Sequence, residues 1–204
     1  MTNSCPPLVL ASTSRYRREL LSRLRVPFAV EPPGVDETPL LGEKPAALAR
    51  RLAVDKARAV AARHPGAVVI GSDQVADLAG QPLGKPGNHA RAVEQLQRMS
   101  GQRVVFQTAL AVVRQDIGFE AVDLAAVTVH FRTLSEADIE TYLHLDEPYD
   151  CAGSARSESL GVALLASIDS DDPTALVGLP LIRTCAMLRA AGLDPLVAAA
   201  TPRA

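Results

Sequence analysis

The sequence has few cysteines, few aromatic residues and no long hydrophobic run. Its three cysteines (Cys5, Cys151, Cys185) are odd in number and far apart, so neither a disulfide framework nor a zinc site is expected and a reducing cytoplasm is predicted. No apolar run approaches ~20 residues, which argues against a membrane span. No basic segment precedes the apolar residues near the N-terminus, so no signal peptide is expected. Tryptophan is absent and aromatic residues make up only 3% of the chain. An aromatic side chain beside a motif therefore calls for a structural or functional explanation.

The charges are nearly balanced. Lys and Arg total 21 and Asp and Glu total 23, which gives a net charge of −2. This balance argues against a nucleic-acid partner. Apolar residues at 48% and charged residues at 22% indicate a globular chain, and 204 residues predict a single domain over 1–204.

Short apolar runs alternate with amphipathic stretches, which predicts an α/β fold. The main predicted strands are 8–11, 28–30, 67–70, 104–113 and 121–131, and the main predicted helices are 15–24, 45–63, 90–99, 135–145 and 181–191. The strands 104–113 and 121–131 are expected to form an antiparallel pair. The tail from Val197 is expected to be loose.

A first candidate site lies between the first strand and the first helix. Ser12 and its neighbours place hydroxyl groups and free backbone amides at a helix start, which favours anion binding. Arg17 and Arg18 add forked donors that suit phosphate oxygens. A serine-capped helix with a solvated basic face is the alternative interpretation.

Lys56 is a second candidate because of its helical spacing. Leu48, Leu52, Lys56 and Val60 are spaced by four, which places the lysine on an apolar stripe. An unpaired charge there is costly, so the side chain either extends to the edge of the core or points into a polar cleft.

Asp73 is a third candidate, predicted to lie at the end of a buried strand, with a continuation of the strand through Val75–Leu78 into a hairpin around 79–82 as the alternative. Folds of the α/β class place ligands at such ends, and a carboxylate there can bind Mg²⁺ or accept a proton from water. A turn-capping role is the alternative. Asp36 and Glu37, in a preceding loop, are candidates to share the metal.

Two further segments carry polar side chains. The segment 80–86 lacks the spacing and the Ser/Thr of a phosphate loop, but Lys85 can reach an anion from a turn. The loop 153–161 contains Arg156 and Glu158, and a carboxylate there can read donors on a nucleobase unless the segment is a plain surface loop. The four histidines show no ligand spacing and are interpreted as surface or packing residues: His64, His89, His130 and His144. Together, the cationic side chains and Asp73 suit a polyphosphate and a divalent metal, and so indicate phosphoester or phosphoanhydride chemistry.

Several blocks of the sequence resemble the Maf family of nucleoside triphosphate pyrophosphatases. The matching blocks are 10–14 with Arg17 and Arg18, 35–38, 56–57, 71–74, 84–86, 134–135, 152–153 and 177–181. They follow one another in order and cover nearly the whole chain. The combination of Tyr16, Gln74 and Glu158 resembles the branch that hydrolyses 7-methyl-GTP, whereas related branches for dTTP and UTP carry Thr after the Asp. Arg15 departs from the usual Pro, and Asp55 departs from the usual Glu.

The resemblance implies an inosine-triphosphatase-like fold, with a mixed twisted sheet flanked by helices, two lobes around a central cleft and often a homodimer. It implies cleavage between the α and β phosphates with a divalent cation such as Mg²⁺ or Mn²⁺, with Asp73 as the proton acceptor and Glu37 helping Asp73 to hold the metal. The residues implied to bind the triphosphate are Ser12, Arg17, Arg18, Lys56 and Lys85.

Tyr16, Gln74 and Glu158 are implied to select the base. A guanine methylated at N7 carries positive charge, which an aromatic face and a carboxylate both attract. Two alternatives stay open: a pyrophosphatase for dTTP, UTP or other nucleotides, and a non-catalytic nucleotide sensor that regulates division.

Overall fold

The predicted α/β class is confirmed. The protein is described by a computed structural model over residues 5–200, in which a seven-stranded mixed sheet is flanked by helices. The strands are β1 (Leu8–Ala11), β2 (Ala29–Val30), β3 (Val68–Leu78), β4 (Gln81–Leu83), β5 (Arg103–Arg114), β6 (Phe119–Phe131) and β7 (Leu165–Asp169). The α-helices are α1 (Arg15–Ser22), α2 (Pro45–Ala61), α3 (His89–Met99), α4 (Glu136–Asp146), α5 (Leu181–Ala190) and α6 (Pro195–Ala200).

The sheet has a parallel half and an antiparallel half. Its strand order is β2-β1-β3-β5-β6-β7, and β4 pairs with the far end of β3. Strand β1 is parallel to β2 and β3, and its pairing with β3 ends where Ala11 lies opposite Gly71. Strand β4 joins β3 only from Ala76 onward. The residues between Gly71 and Ala76 therefore keep β5 as their neighbour on one side, and the other side is open to the cleft described below.

Three apolar clusters pack against this sheet. One forms under α2, with Leu48 and Val60 facing the strands. A second forms on the opposite face, where Leu20 of α1 meets Leu188 of α5. A third lies at the other end of β5 and β6 and includes Leu96 of α3. The first two clusters belong to one half of the sheet and the third to the other half, which accords with two lobes and a cleft between them.

The C-terminal helix corrects one expectation. The prediction of a loose tail from Val197 is wrong for residues up to 200, because α6 covers them. Pro195 suits the first position of a helix, and Ala198 is buried in the cluster that contains Leu188. Between residues 5 and 200, no helix combines the length and the apolar character that crossing a membrane requires.

Candidate active site

A cavity of about 760 Å³ opens between the two halves of the sheet. It is lined by the turn after β1, the loop before α2, the open part of β3, the turn after β4 and the loop around Cys151. The predicted site residues that line it are Ser12, Tyr16, Arg17, Glu37, Lys56, Asp73, Gln74, Lys85 and Glu158. Residues that lie up to 146 positions apart in the sequence thus share one cavity.

Two of the predicted residues lie elsewhere. Arg18 is exposed on α1 and is not among the residues that line the cavity. Asp36 is also outside the lining, because its Oδ1 accepts hydrogen bonds from the backbone amide of Thr38 at 2.9 Å and from its hydroxyl at 2.7 Å. Asp36 therefore serves the turn that presents Glu37.

Asp73 does not lie at a strand end, which corrects the prediction. It lies inside β3, which runs without a break from Val68 to Leu78. The physical reason is that Val75–Leu78 continues the strand into the hairpin with β4, so the sequence Gly71-Ser72-Asp73 does not end it. The carboxylate nevertheless lies just beyond the last residue that pairs with parallel β1, where the sheet opens.

Lys56 points into the cleft, which decides between the two alternatives for this residue. Its Nζ lies 2.6 Å from Oδ1 of Asp73 and 2.7 Å from Oε1 of Glu37, and only 5% of the side chain is exposed. Burial by itself raises the pKa of Glu37, but the hydrogen bond and charge of Lys56, with the charges of Lys85 and Arg17, outweigh it. The pKa of Glu37 therefore lies below its ordinary value, and two carboxylates share one ammonium group.

Arg17 is held in place by the backbone of the turn that precedes α5. Its Nε donates to the carbonyl oxygen of Gly178 at 2.9 Å, and the Ser72 hydroxyl donates to the same oxygen at 3.1 Å. Burial lowers the pKa of Arg17, while the charges of Asp73 and Glu37 raise it. A guanidinium stays charged in proteins, so Arg17 keeps a fixed positive charge beside the two carboxylates.

Serine side chains shape the turn that leads into α1. Ser12 accepts a hydrogen bond from the backbone amide of Ser14 at 3.1 Å, and Ser14 caps the helix by accepting from the amide of Arg17 at 3.4 Å. The predicted serine-capped helix start is therefore present, and it borders the cavity.

The amide nitrogen of Gln74 is held by three hydrogen-bond partners at the cavity wall. Nε2 lies 2.9 Å from the Thr108 hydroxyl, 3.0 Å from the carbonyl of Ala175 and 2.9 Å from that of Leu176. Because both carbonyls can only accept, the amide nitrogen must face them. The Gln74 side chain is thus oriented by the turn 175–177 before any ligand arrives.

Tyr16 carries two cations near its ring. The guanidinium carbon of Arg15 lies 4.7 Å from the ring centroid and that of Arg156 lies 5.7 Å away. Arg15 also donates from Nη2 to the Tyr16 hydroxyl at 2.7 Å. Burial is the main cause that raises the pKa of Tyr16 to about 12, so the phenol is neutral at pH 7. Arg15 therefore already makes the type of contact that a cationic base would make.

Glu158 lies at the mouth of the cavity, on the loop after Cys151. The residue as a whole reaches solvent, yet the surrounding protein removes enough water from the carboxyl group to raise its pKa. Nearby Arg156 acts in the opposite direction and lowers it.

Some contributions to the cavity are missed by the sequence reasoning. Gly178 supplies the carbonyl that holds Arg17, and its φ of 119° favours glycine; the Gly-Leu-Pro run was the available signal. Cys151 lines the cavity, with its sulfur 3.6 Å from the Tyr16 hydroxyl. A second cluster, outside the residues that line the cavity, brings ligand atoms of His89, Glu140 and His144 within 4.8 Å of one another, although histidine spacing predicted none.

Comparison with known proteins identifies the family of this chain. A family model described as Maf-like protein matches residues 7–191. A Polaromonas sp. protein named 7-methyl-GTP pyrophosphatase is 68% identical over 193 residues, which cover 95% of this chain and 88% of that protein. Proteins with the same name from Albidiferax ferrireducens and Bordetella pertussis are 66% and 60% identical, over 93% and 94% of this chain and 95% of each relative. The chain belongs to the Maf family.

Proposed function

We propose that this protein is a nucleoside triphosphate pyrophosphatase that hydrolyses 7-methyl-GTP to 7-methyl-GMP and pyrophosphate. The observation that carries the proposal is the buried pair of Lys56 and Asp73, 2.6 Å apart on the floor of a cavity with cationic walls. The names of the similar proteins support the choice of substrate.

The phosphate end of the substrate meets positive charge from three elements. Arg17 comes from α1, Lys56 from α2 and Lys85 from the turn after β4, and all three line the cavity. Backbone amides at the start of α1 add donors for phosphate oxygens. These groups neutralise the triphosphate and stabilise the charge that develops on the leaving pyrophosphate. The predicted role of Arg18 stays a prediction.

In the proposed reaction, Asp73 acts on the attacking water. One carboxylate oxygen is held by Lys56, which fixes the group and leaves the other oxygen for the water. The water attacks the α phosphorus and gives its proton to Asp73. The bond from the α phosphorus to the bridging oxygen then breaks, and its electron pair leaves with pyrophosphate.

The residues present fit a divalent metal. Asp73 and Glu37 each contact Nζ of Lys56 through one oxygen, so the second oxygen of each carboxylate would be the hard ligand that holds the ion. Mg²⁺ and Mn²⁺ prefer such ligands and complete their shells with water and substrate phosphates. When bound, the ion supplies charge neutralisation for the phosphate oxygens.

Three side chains define the base end. Tyr16 offers an aromatic face to the positive ring of a guanine methylated at N7. Glu158, when ionised, accepts from the N1 and N2 donors of guanine and complements the ring charge. Gln74, oriented by the turn 175–177, limits the depth to which a base can enter.

A panel of nucleoside triphosphates tests the proposal. The purified protein is incubated with a divalent metal and 7-methyl-GTP, GTP, dTTP or UTP, and the release of monophosphate and pyrophosphate is measured. We expect 7-methyl-GTP to give the highest kcat/KM and Asp73→Asn to lower its turnover by roughly 10²- to 10⁴-fold with an unchanged fold. Preference for dTTP or UTP would overturn the substrate but keep the reaction. Tight binding without pyrophosphate release would favour the nucleotide sensor.

The predicted homodimer and cytoplasmic location stay predictions. The oligomeric state is measured by analytical ultracentrifugation of the same preparation. Since every residue in the proposed reaction comes from one chain, we expect the same activity per chain at protein concentrations where a dimer would dissociate.

A further inference from the structure

We propose that His89, Glu140 and His144 form a surface binding site for a divalent transition metal, and that Zn²⁺ is the ion that it binds most tightly. The site lies outside the catalytic cavity, since none of the three residues lines it. It does not depend on the proposed function.

The distances between the three side chains suit a small ion. Oε2 of Glu140 lies 3.0 Å from Nε2 of His89 and 3.5 Å from Nε2 of His144, and the ligand atoms of all three residues lie within 4.8 Å of one another. Zinc binds nitrogen and oxygen at about 2.0–2.1 Å in a tetrahedron, which separates neighbouring ligand atoms by roughly 3.3 Å. Small side-chain rotations are therefore enough to surround the ion.

The chemistry of the donors selects the metal. Two imidazoles and one carboxylate suit zinc and its neighbours in the first transition row, whereas magnesium and calcium prefer sites built of oxygen. Three protein ligands leave a fourth position open to water. The carboxylates of the catalytic cavity, by contrast, suit the harder ions, so the two sites discriminate between metals.

A hydrogen bond on the ring nitrogen that does not face Glu140 fixes the orientation of His89. Its Nδ1 lies 3.0 Å from the hydroxyl of Tyr149, and that hydroxyl lies 3.5 Å from the carbonyl oxygen of Leu143. When the phenol donates to the carbonyl, it accepts from Nδ1–H, which leaves the lone pair of Nε2 facing Glu140. A hydrogen-bond partner on the second ring nitrogen is the usual support of a metal-binding histidine.

Helix geometry supports the other two ligands. Glu140 and His144 are separated by one turn of α4, so their side chains lie on the same face. His144 is in the last turn, where the negative end of the helix dipole favours a cation. His89 is the first residue of α3, where the positive end of the helix dipole disfavours a cation. The favourable contribution at the end of α4 offsets this effect.

A bound ion would connect α3 and α4 to the rim of the cavity. Tyr149 contacts His89 through its hydroxyl, and its carbonyl accepts from the amide of Gly87 at 3.0 Å. The next two residues after Tyr149, Asp150 and Cys151, line the cavity. Lys85, two residues before Gly87, lines it as well. The site is therefore placed to stiffen one wall of the cavity.

Titration with Zn²⁺ alone, followed by calorimetry without nucleotide, tests the site. We expect one Zn²⁺ per chain, and a loss of affinity of at least tenfold in His144→Ala. That side chain is 72% exposed, so its removal does not threaten the fold. His130→Ala is the matched control, because its side chain is 44% exposed and, within residues 5–200, it forms an ion pair with one carboxylate, that of Asp169 at 3.6 Å. We expect this control to bind Zn²⁺ as the wild type does.

Two results would overturn the inference. One is Zn²⁺ binding that is absent in the wild type or unchanged in His144→Ala. The other is loss of the same binding event in Asp73→Asn, which would place the ion in the catalytic cavity. Titration of Co²⁺ gives a second readout, since the visible absorption of a four-coordinate ion should appear in the wild type and in Asp73→Asn but vanish in His144→Ala. Failure of the pyrophosphatase assay affects none of these measurements.

Discussion

Gly71 of β3 lies directly against Ala57 of α2. A β-carbon on Gly71 would come within 2.6 Å of the Ala57 amide nitrogen and 2.9 Å of its β-carbon, and it would also collide with the carbonyl oxygen of Ala53. The absence of a side chain at this one position lets the helix approach the strand. This approach places Lys56, the neighbour of Ala57, beside Asp73.

Gly71→Ala is therefore expected to lower the free energy of unfolding by about 1–3 kcal/mol, because the helix backbone must move. It should also reduce turnover, since Lys56 moves away from Asp73 with the helix. Gly66→Ala is the control, because a β-carbon there meets nothing within 4 Å. Denaturant unfolding of both variants checks the result, and equal stability of the two would contradict the proposed close contact.

Lys56→Met should destabilise the protein, because it leaves the carboxylates of Asp73 and Glu37 facing each other without a cation. Breaking a buried ion pair costs about 3–5 kcal/mol. Glu37 is 56% exposed, so we expect roughly 2–3 kcal/mol here. Lys85→Met serves as the comparison, since exposed Lys85 should affect KM for the triphosphate but leave the unfolding midpoint within error.

The pH dependence of substrate selection should follow Glu158. Burial raises the pKa of this carboxyl group, so the group becomes protonated at a higher pH than an ordinary glutamate as the solution is acidified. Only the charged form can accept from both guanine donors. The KM for 7-methyl-GTP should therefore rise as pH falls toward that pKa, and Glu158→Gln should have a KM that is roughly tenfold higher and independent of pH in this range.

Ionisation of Glu158 favours substrate binding but lowers the stability of the fold. A carboxyl group whose pKa is raised by folding binds more protons in the folded state than in the unfolded chain. Stability therefore falls as pH rises from the ordinary value of 4.5 through the raised pKa. Glu158→Gln should remove this contribution, so the variant should gain stability relative to wild type above that interval. A thermal-unfolding series against pH measures the difference, and a difference of the opposite sign would refute the assignment.

Arg15 should weaken the recognition of a cationic base, because it already contacts the Tyr16 ring. Removing Arg15 frees the ring for the substrate. A cation–aromatic contact contributes about 0.5–1 kcal/mol, which corresponds to a roughly two- to fivefold gain in kcat/KM for the cationic base. We expect Arg15→Gln to raise the ratio of kcat/KM for 7-methyl-GTP over GTP by this factor. Arg15→Lys keeps a cation and should stay near wild type. An unchanged ratio in Arg15→Gln would show that Tyr16 does not meet the base.

The sequence predicted elements better than it predicted partners. The spacing of Lys56 with Leu48 and Leu52 indicated that the lysine lies on a buried stripe, and each of the five longer helices overlaps a predicted one. The same spacing could not decide where the charge points, because Asp73 and Glu37 reach it from other elements. Contacts between distant segments depend on packing, which local patterns do not contain.

Other differences have the same origin. Arg17 and Arg18 were given the same role from the sequence, and the structure separates them: Arg17 donates to the carbonyl of Gly178, 161 residues away, whereas Arg18 lies outside the cavity lining. Asp73 was predicted at a strand end, yet pairing with β5 continues the strand through it, as the alternative of a hairpin after Val75–Leu78 allowed. Glu140 and His144 have ligand spacing on α4, but the third member of the cluster, His89, comes from another helix.

In the proposed reaction, a water beside Asp73 attacks the α phosphorus of 7-methyl-GTP. Hydrolysis in ¹⁸O-labelled water, followed by mass spectrometry of both products, tests it most directly. We expect one labelled oxygen in 7-methyl-GMP and none in pyrophosphate. Label in pyrophosphate, or in inorganic phosphate released with a diphosphate, would contradict it.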